Sequence, residues 1–197
     1  IKEAHQLATE TIKRNPNSYG AQNAQSLIIQ LESKEIDGKV LEFNGTKASI
    51  LALIEYRNIE KINVLIYKDD EKDKKEYFSY LKEKLKGKNL VSEKIITLPK
   101  ASDFQKHSTE IALDQLPLGN YLIVYSTDGK LFNQDTHNHW IGEFQVTDLA
   151  YSTRKIDGNK SNILVQDRNS GAAIAGATVK ISKWEYNYQT RESTRKL

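Results

Sequence analysis

The stretch "STEIALDQLPLGNYLIVYS", residues 108–126, decides the fold. In its first half Ile111 and Leu113 alternate with polar or small residues, a pattern typical of a β-strand with one buried face. Pro117 and Gly119 then predict a sharp turn, because proline fixes φ and glycine adopts backbone conformations closed to other residues. The apolar run "YLIVYS" after this turn predicts a second strand. The stretch therefore predicts two strands joined by a tight connection.

Alternation with a period of two extends over most of the chain from Gly38 onward. It marks seven extended runs, at about 38–43, 48–57, 61–68, 90–98, 107–114, 120–126 and 139–147. In the last run Phe144 and Val146 share one face, with Trp140, opposite Glu143. Seven short strands at this spacing predict a mainly β protein, a β-sandwich whose core is made by such apolar faces.

Helical patterns occur at two places. In the first 36 residues, apolar residues recur at helical spacing on both sides of "NPNS", which predicts a helix pair. Pro16 is expected to stop the first helix, and Ser18 to cap the second. A further helix, inserted between the third and fourth strands, is predicted by the apolar residues Tyr77, Phe78, Leu81 and Leu85. Gly87 would end this inserted helix, which we expect to pack on an edge or end of a sheet.

The chain changes character after Leu149. Residues 151–162 are polar and predict a crossing segment, whereas residues 165–184 predict a strand, a loop of small residues and a second strand. In the second of these strands Val179 and Ile181 are expected to face inward. One hairpin has too little apolar surface to be stable alone, so these residues predict the start of another sandwich. The predicted domains are a helical lead at 1–36, a sandwich with its inserted helix at 37–149, and an incomplete second domain at 150–197.

Composition excludes several classes of function. The 197 residues include 29 basic and 26 acidic side chains, which are interspersed, so the net charge of +3 provides no extended field for nucleic acid or an anionic membrane surface. Cysteine is absent, which excludes disulfides, thiolate metal sites, a cysteine nucleophile and a thioester within these residues. No apolar run approaches the roughly 18 residues of a membrane-spanning helix. The start at Ile1, without methionine or signal sequence, predicts a processed or excised piece.

One stretch carries the pattern of a metal site. In "QDTHNHW", the side chains of Asp135, His137 and His139 would project on the same side of an extended strand, as two histidines and a carboxylate around a metal require. The stretch supplies no fourth ligand, and its Asn and Thr residues are typical of a polar strand connection. We therefore expect neither a metal nor a cofactor, and these three residues are the candidates if a metal binds.

Hydrolytic and nucleotide chemistry lack their sequence signatures. His107 beside Ser108 is not accompanied by a G-x-S-x-G nucleophile elbow, and the pair is typical of the end of a strand. No phosphate-binding loop or dinucleotide fingerprint occurs in the sequence. The sequence therefore predicts a protein that is not an enzyme.

An aromatic row is the remaining candidate site. Trp184, Tyr186 and Tyr188 recur with a period of two and would share one face of a strand. Such a row can form a stacking platform for sugar rings or a partner peptide. We expect the row to be instead the buried face of the second domain, because aromatic residues are common on half-buried strands, and the three residues are the candidates if a binding platform exists.

Three stretches together carry a family resemblance. They are "ILALIEYRNIEKINVLIYK" (50–68), "IALDQLPLGNYLIVYSTDG" (111–129), and "FQVTDLAYSTRK" running into "ILVQDRNSGAAIAGATVKI" (144–181). In their order and spacing they resemble the N-terminal part of bacterial alpha-2-macroglobulin-like proteins, particularly the large cell-envelope forms of Bacteroidetes. The resemblance implies that residues 37–149 form one macroglobulin domain, a fibronectin-like sandwich of seven strands, and that residues 150–197 begin the next.

The resemblance also implies a function. Proteins of this family trap proteases by enclosing an attacker after it cuts a bait segment, and some capture it through an internal thioester. Without a cysteine or an evident bait, these residues would be a noncatalytic scaffold whose partners are neighbouring macroglobulin domains and proteases. The implied location is the periplasm or cell surface, with a lipoprotein anchor ahead of Ile1. The alternative is a cell-surface module that binds glycan or protein, because sandwich folds recur among unrelated functions.

Overall fold

The structure is a computed structural model that describes residues 1–69, 85, 87–127, 139–158, 160–189 and 192–196. Two helices open the chain, α1 at Lys2–Arg14 and α2 at Tyr19–Glu32. The Ser18 hydroxyl accepts a hydrogen bond from the backbone N–H of Ala21 at 3.1 Å, which confirms the predicted cap. The first helix ends two residues before Pro16, where the proline ring prevents its continuation.

Eight strands of the described chain build a sandwich. They are β1 (Glu35–Val40), β2 (Phe43–Asn44), β3 (Ile50–Arg57), β4 (Lys61–Lys68), β5 (Asn89–Thr97), β6 (His107–Leu113), β7 (Gly119–Ser126) and β8 (His139–Val146). One sheet has the order β1-β3-β6, and the other has the order β2-β8-β7-β4-β5. All neighbours are antiparallel except β2 and β8. This is a fibronectin-like arrangement, and the prediction of a mainly β sandwich behind a helical hairpin is confirmed.

The core lies between the two sheets and is filled by alternate residues of five strands. Its fully buried members include Ile50 and Ile54 from one sheet and Ile62, Ile123 and Val146 from the other. The predicted inward faces of β6 and β8 are confirmed, because Ile111, Leu113, Phe144 and Val146 are all buried. Removing such side chains from water is the main stabilising term of a sandwich, at about 25 cal/mol for each Å² of apolar surface.

The first predicted strand, 38–43, is divided between the two sheets. β1 begins at Glu35 and pairs with β3, whereas β2 pairs with β8 in the opposite sheet. The Asn44 amide donates to the Leu41 carbonyl at 2.8 Å and closes the crossing. Sequence alternation cannot detect this division, because both pieces are extended.

Two glycines make room for aromatic rings at the edge of the sandwich where β1 meets β8. A Cβ atom on Gly38 would lie 2.4 Å from Cε2 of Tyr125 and 2.8 Å from Cε3 of Trp140. A Cβ atom on Gly142 would lie 2.4 Å from Cη2 of Trp140. The rings of Tyr125 and Trp140 stack on each other with their centroids 4.9 Å apart. The glycine at position 38 therefore permits contact between the β1 backbone and this ring pair.

A second apolar cluster covers the outer face of the five-stranded sheet. Leu65, Tyr67, Leu122 and Val124 form it together with Leu85. Most of the inserted helix predicted around Tyr77, Phe78 and Leu81 lies outside the described residues. The expectation that this helix packs on a sheet edge or end is wrong for its residue Leu85, which packs on the outer face of the five-stranded sheet.

The segment after the sandwich forms two hairpins. β9 (Leu149–Asp157) pairs with β10 (Lys160–Asp167), and β11 (Lys183–Asn187) pairs with β12 (Glu192–Lys196). The prediction of a polar crossing at 151–162 is wrong. These residues belong mainly to β9 and β10, a ribbon exposed on both faces, where apolar alternation is not required.

The predicted strand around Val179 is also wrong. Residues 177–182 form no strand, and Val179 and Ile181 are 45% and 72% exposed. The alternation is present, but no strand of the described chain pairs with this segment, and strand structure requires a partner.

We predict that Gly38→Ala destabilises the protein by about 1–3 kcal/mol, the usual cost of forcing an extra methyl group into a packed core. Urea unfolding followed by tryptophan fluorescence would measure this. Gly20→Ala is the matched control, since its Cβ would lie no closer than 3.7 Å to the atoms around it, and alanine favours a helix. A Gly38→Ala midpoint equal to that of the unchanged protein would contradict the packing described here.

Candidate functional site

The turn between β3 and β4 holds the end of the helix pair. The Arg57 guanidinium donates to the Ser33 hydroxyl at 2.7 Å and to the Gln30 carbonyl at 3.4 Å. The Asn58 side chain donates to the Leu31 and Ser33 carbonyls at 2.6 and 3.0 Å. We call these contacts the entry junction, because they lie where the chain enters the sandwich.

Physical chemistry explains why the entry junction uses these side chains. The last carbonyls of a helix lack partners within the helix and carry partial negative charge. Helix α2 has no basic residue in its last turn, so Arg57 supplies the cation from the sandwich. Asn58 has a φ of 56°, a left-handed conformation that asparagine tolerates better than most residues. Glu35 forms an ion pair with Arg57 and fixes the guanidinium.

A ring contact completes the attachment of the helices. His5 of α1 stacks on Phe104 of the β5–β6 loop, with ring centroids 4.5 Å apart and an interplanar angle of 17°. The imidazole Nε2 lies 2.8 Å from a carboxylate oxygen of Glu32 at the end of α2. The histidine therefore contacts both the second helix and the sandwich.

A second set of contacts, the exit junction, holds the chain where it leaves the sandwich. The Asp148 carboxylate accepts from the Thr46 backbone N–H at 3.1 Å and from the Thr46 hydroxyl at 2.8 Å. The Arg168 guanidinium donates to the Thr147 and Leu149 carbonyls at 3.0 and 3.1 Å. These bonds connect the segment just after β2, the turn between β8 and β9, and the turn after β10.

Hydrogen bonding stabilises the ionised form of the carboxylates at this junction. The bonds from Thr46 hold the pKa of Asp148 below its ordinary value. In the turn after β10, bonds from the Ser170 backbone and hydroxyl lower the pKa of Asp167. Both carboxylates serve as acceptors for the local backbone, which is a structural use of charge rather than a catalytic one.

Of the three predicted metal residues, the structure describes His139 alone. Asp135 and His137 lie outside the described residues, and His139 opens β8 opposite Ser126. Within the part of the chain that the structure describes, no three histidine or acidic side chains form a group that could hold a metal ion.

The histidine near Ser108 has a different partner. His107 Nε2 lies 2.9 Å from a carboxylate oxygen of Asp103, whereas Ser108 follows it on β6 and is exposed. Successive side chains of a strand point to opposite faces, so the serine and the histidine diverge. The pair does not form a nucleophile and base.

The aromatic row is open to solvent in its described part. The rings of Tyr186 and Tyr188 meet edge to face with centroids 5.0 Å apart, and the two residues are 48% and 87% exposed. The side chain of Trp184 lies outside the description. These exposures fit a platform better than a buried face.

A cleft of about 330 Å³ lies beside β2, β7 and β8. Its lining combines acidic, amide and aromatic side chains: Glu42, Phe43, Asp69, Asn120, Tyr121, Glu143, Phe144 and Gln145. Asp69 forms a buried ion pair with Lys88, so the charge of this carboxylate is neutralised within the protein.

Sequence reasoning missed both junctions. Thr46 and Asp148 are 102 positions apart, and Arg57 caps a helix that ends well before it in the chain. No local pattern identifies such pairs.

Comparison with known proteins finds only distant likeness. No family model and no curated protein matches the sequence. The chain is similar to the CARDB domain of the PF1109 protein from Pyrococcus furiosus, which was crystallised in complex with di-metal ions. The TM-score is 0.34 and the sequence identity is 12%. The match covers 58% of this chain and 92% of that chain. The solution NMR structure of that domain has a TM-score of 0.32 and 11% identity over 57% and 93%. Among the described residues, no helix has the length and apolar character needed to cross a membrane.

We predict that Asp148→Asn weakens the response of stability to acid. A carboxylate with a lowered native pKa stabilises the fold above its unfolded pKa, near 3.8, and loses that contribution as pH falls through the native value. Urea midpoints at pH 6 and pH 3 should therefore differ less in Asp148→Asn than in the unchanged protein. Asp157→Asn, at the exposed end of β9, is the control and should keep the full difference. Equal acid responses in all three proteins would contradict the role of the Thr46 bonds.

Proposed function

We propose that this protein is a noncatalytic scaffold module of an alpha-2-macroglobulin-like protein, which contributes to endopeptidase trapping at the cell envelope. The observation that carries the proposal is the pair of junctions: Arg57 and Asn58 hold the preceding helices, and Asp148 and Arg168 hold the following hairpin. Charge-assisted hydrogen bonds on both sides keep the neighbouring elements attached to the sandwich.

The placement of the resembling stretches supports this reading. Residues 50–68 contain β3, β4 and the two donors of the entry junction, Arg57 and Asn58. Residues 144–181 contain the end of β8 and two members of the exit junction, Asp148 and Arg168. Residues 111–129 contain the whole of the central strand β7. The stretches that carry the resemblance therefore include core strands and residues of both junctions, as expected for a module with a mechanical role. The cell surface or periplasm would be its location.

The test uses the parent polypeptide and a broad-specificity endopeptidase. A trap shields large substrates while small ones still reach the enclosed enzyme, so cleavage of a protein substrate should fall to background while cleavage of a short chromogenic peptide continues. Protease that keeps cutting the large substrate at its full rate would contradict the proposal.

We predict that loosening the exit junction weakens trapping. Combining Thr46→Val with Asp148→Ala removes the hydroxyl and the carboxylate that join the segment after β2 to the turn after β8. Cleavage of the large substrate should partly return. Glu110→Ala, exposed on β6, is the control and should leave trapping intact. Full trapping by the double variant would show that the junction is dispensable.

A second function, binding of glycan or of a protein partner at the cell surface, is favoured by the exposed ring pair. Tyr186→Ala or Tyr188→Ala should weaken a sugar ligand by about 1 kcal/mol, roughly fivefold in Kd, because each ring supplies a stacking face. A glycan array followed by calorimetry on any hit would measure this. Tyr188→Phe keeps the ring and should keep the affinity, and an array without signal would argue against the carbohydrate form.

A further inference from the structure

The helix pair is attached to the sandwich at one end. His5 near the start of α1 reaches Glu32 at the end of α2, so the two antiparallel helices have their attached ends side by side. The entry junction and the ring contact with Phe104 both lie at this end. The turn at residues 15–18 lies at the opposite end. With 14 residues, α2 extends about 21 Å away from its base.

The helix pair and the sandwich do not share an apolar core within the described residues. The buried apolar side chains of the helices are Ala8, Ala21 and Ala24, which pack where the helices meet. Both apolar clusters of the sandwich consist of strand, loop and Leu85 side chains. A shared core would resist reorientation, because packed interiors deform little. The orientation of the helix pair depends instead on a few polar and ring contacts.

These contacts differ in whether they can persist when the helix pair rotates relative to the sandwich. Arg57 and Asn58 bind the last turn of α2 and Ser33, immediately before β1 begins at Glu35. Because the chain itself passes through this point, the entry junction can persist while the helices rotate about it. The contact between His5 and Phe104 joins residues far apart in the chain, so it exists in one orientation only.

Phe104 carries independent evidence that its position is constrained. Its φ is 57°, in the left-handed region that a bulky residue rarely adopts. Such a conformation persists when surrounding contacts determine it. Asp103 contributes by accepting from the Gln105 backbone N–H at 3.0 Å and by contacting His107, which fixes the loop on both sides of the phenylalanine.

We infer that the helix pair is an arm that pivots about the entry junction, and that stacking of His5 on Phe104 sets its resting orientation. Release of this ring contact frees the arm while the sandwich stays folded. A small rotation at the base would be amplified at the turn of residues 15–18.

Spin labels can test the arm because the chain has no cysteine of its own. Gln25→Cys on α2 and Ser108→Cys on β6 provide two exposed attachment points, one on each part. Pulsed electron paramagnetic resonance would give the distribution of distances between the labels. Phe104→Asn is the informative variant, since asparagine accepts a positive φ and the substitution removes the ring without adding backbone strain.

The expected result is a distance distribution about twofold wider in Phe104→Asn, with the urea midpoint of the sandwich unchanged. Phe104→Tyr keeps the ring and should keep the narrow distribution. His5→Gln removes the other ring of the stack and should widen the distance distribution as Phe104→Asn does. If Phe104→Asn disturbs folding, the His5→Gln variant tests the inference instead. Equal widths in the unchanged protein and in His5→Gln would overturn the inference, whether both are narrow or both are wide.

Discussion

Burial of β7 on both faces is the constraint on which the rest of the structure depends. Tyr121 and Tyr125 enter the core between the sheets, whereas Leu122 and Val124 join Leu85 in the outer cluster. The four β7 side chains are at most 2% exposed. A strand covered on both sides must lie inside its sheet, so β4 and β8 flank it and the other strands take positions around these three. The glycines of β1 and β8 then allow the aromatic rings to fill the remaining edge.

Complete burial also has a cost. The Tyr125 hydroxyl finds no hydrogen-bond partner among the described residues, and burial raises the pKa of this phenol by disfavouring its charged form. An unpaired buried hydroxyl typically costs about 1–3 kcal/mol. Stacking on Trp140 and the surrounding apolar packing offset this cost, which is consistent with a ring pair that the fold positions for packing rather than for chemistry.

The elements that sequence predicts well are those whose pattern is imposed by one buried face. The run 61–68 coincides with β4, and 107–114 differs from β6 by one residue, because alternate apolar residues must face the core. The hairpin of β9 and β10 gives no such signal, since both of its faces meet solvent. Around Val179 and Ile181 the prediction fails for the opposite reason: apolar residues alternate there, but the segment forms no strand. The junctions could not be predicted, because they depend on pairs such as Thr46 and Asp148 that only the fold brings together.

The way polar side chains are used distinguishes the two candidate functions. At the entry and exit junctions the polar side chains form hydrogen bonds with backbone groups and side chains of the same chain. These side chains are Arg57, Asn58, Asp148 and Arg168. Groups engaged in this way hold neighbouring elements to the sandwich, whereas a ligand site needs side chains that remain available to a partner. Tyr188 at 87% exposure is such an available group, but it lies just beyond β11 and is a member of neither junction. The described polar network therefore favours a scaffold role, and the tyrosine pair is the part of the molecule on which a binding role would depend.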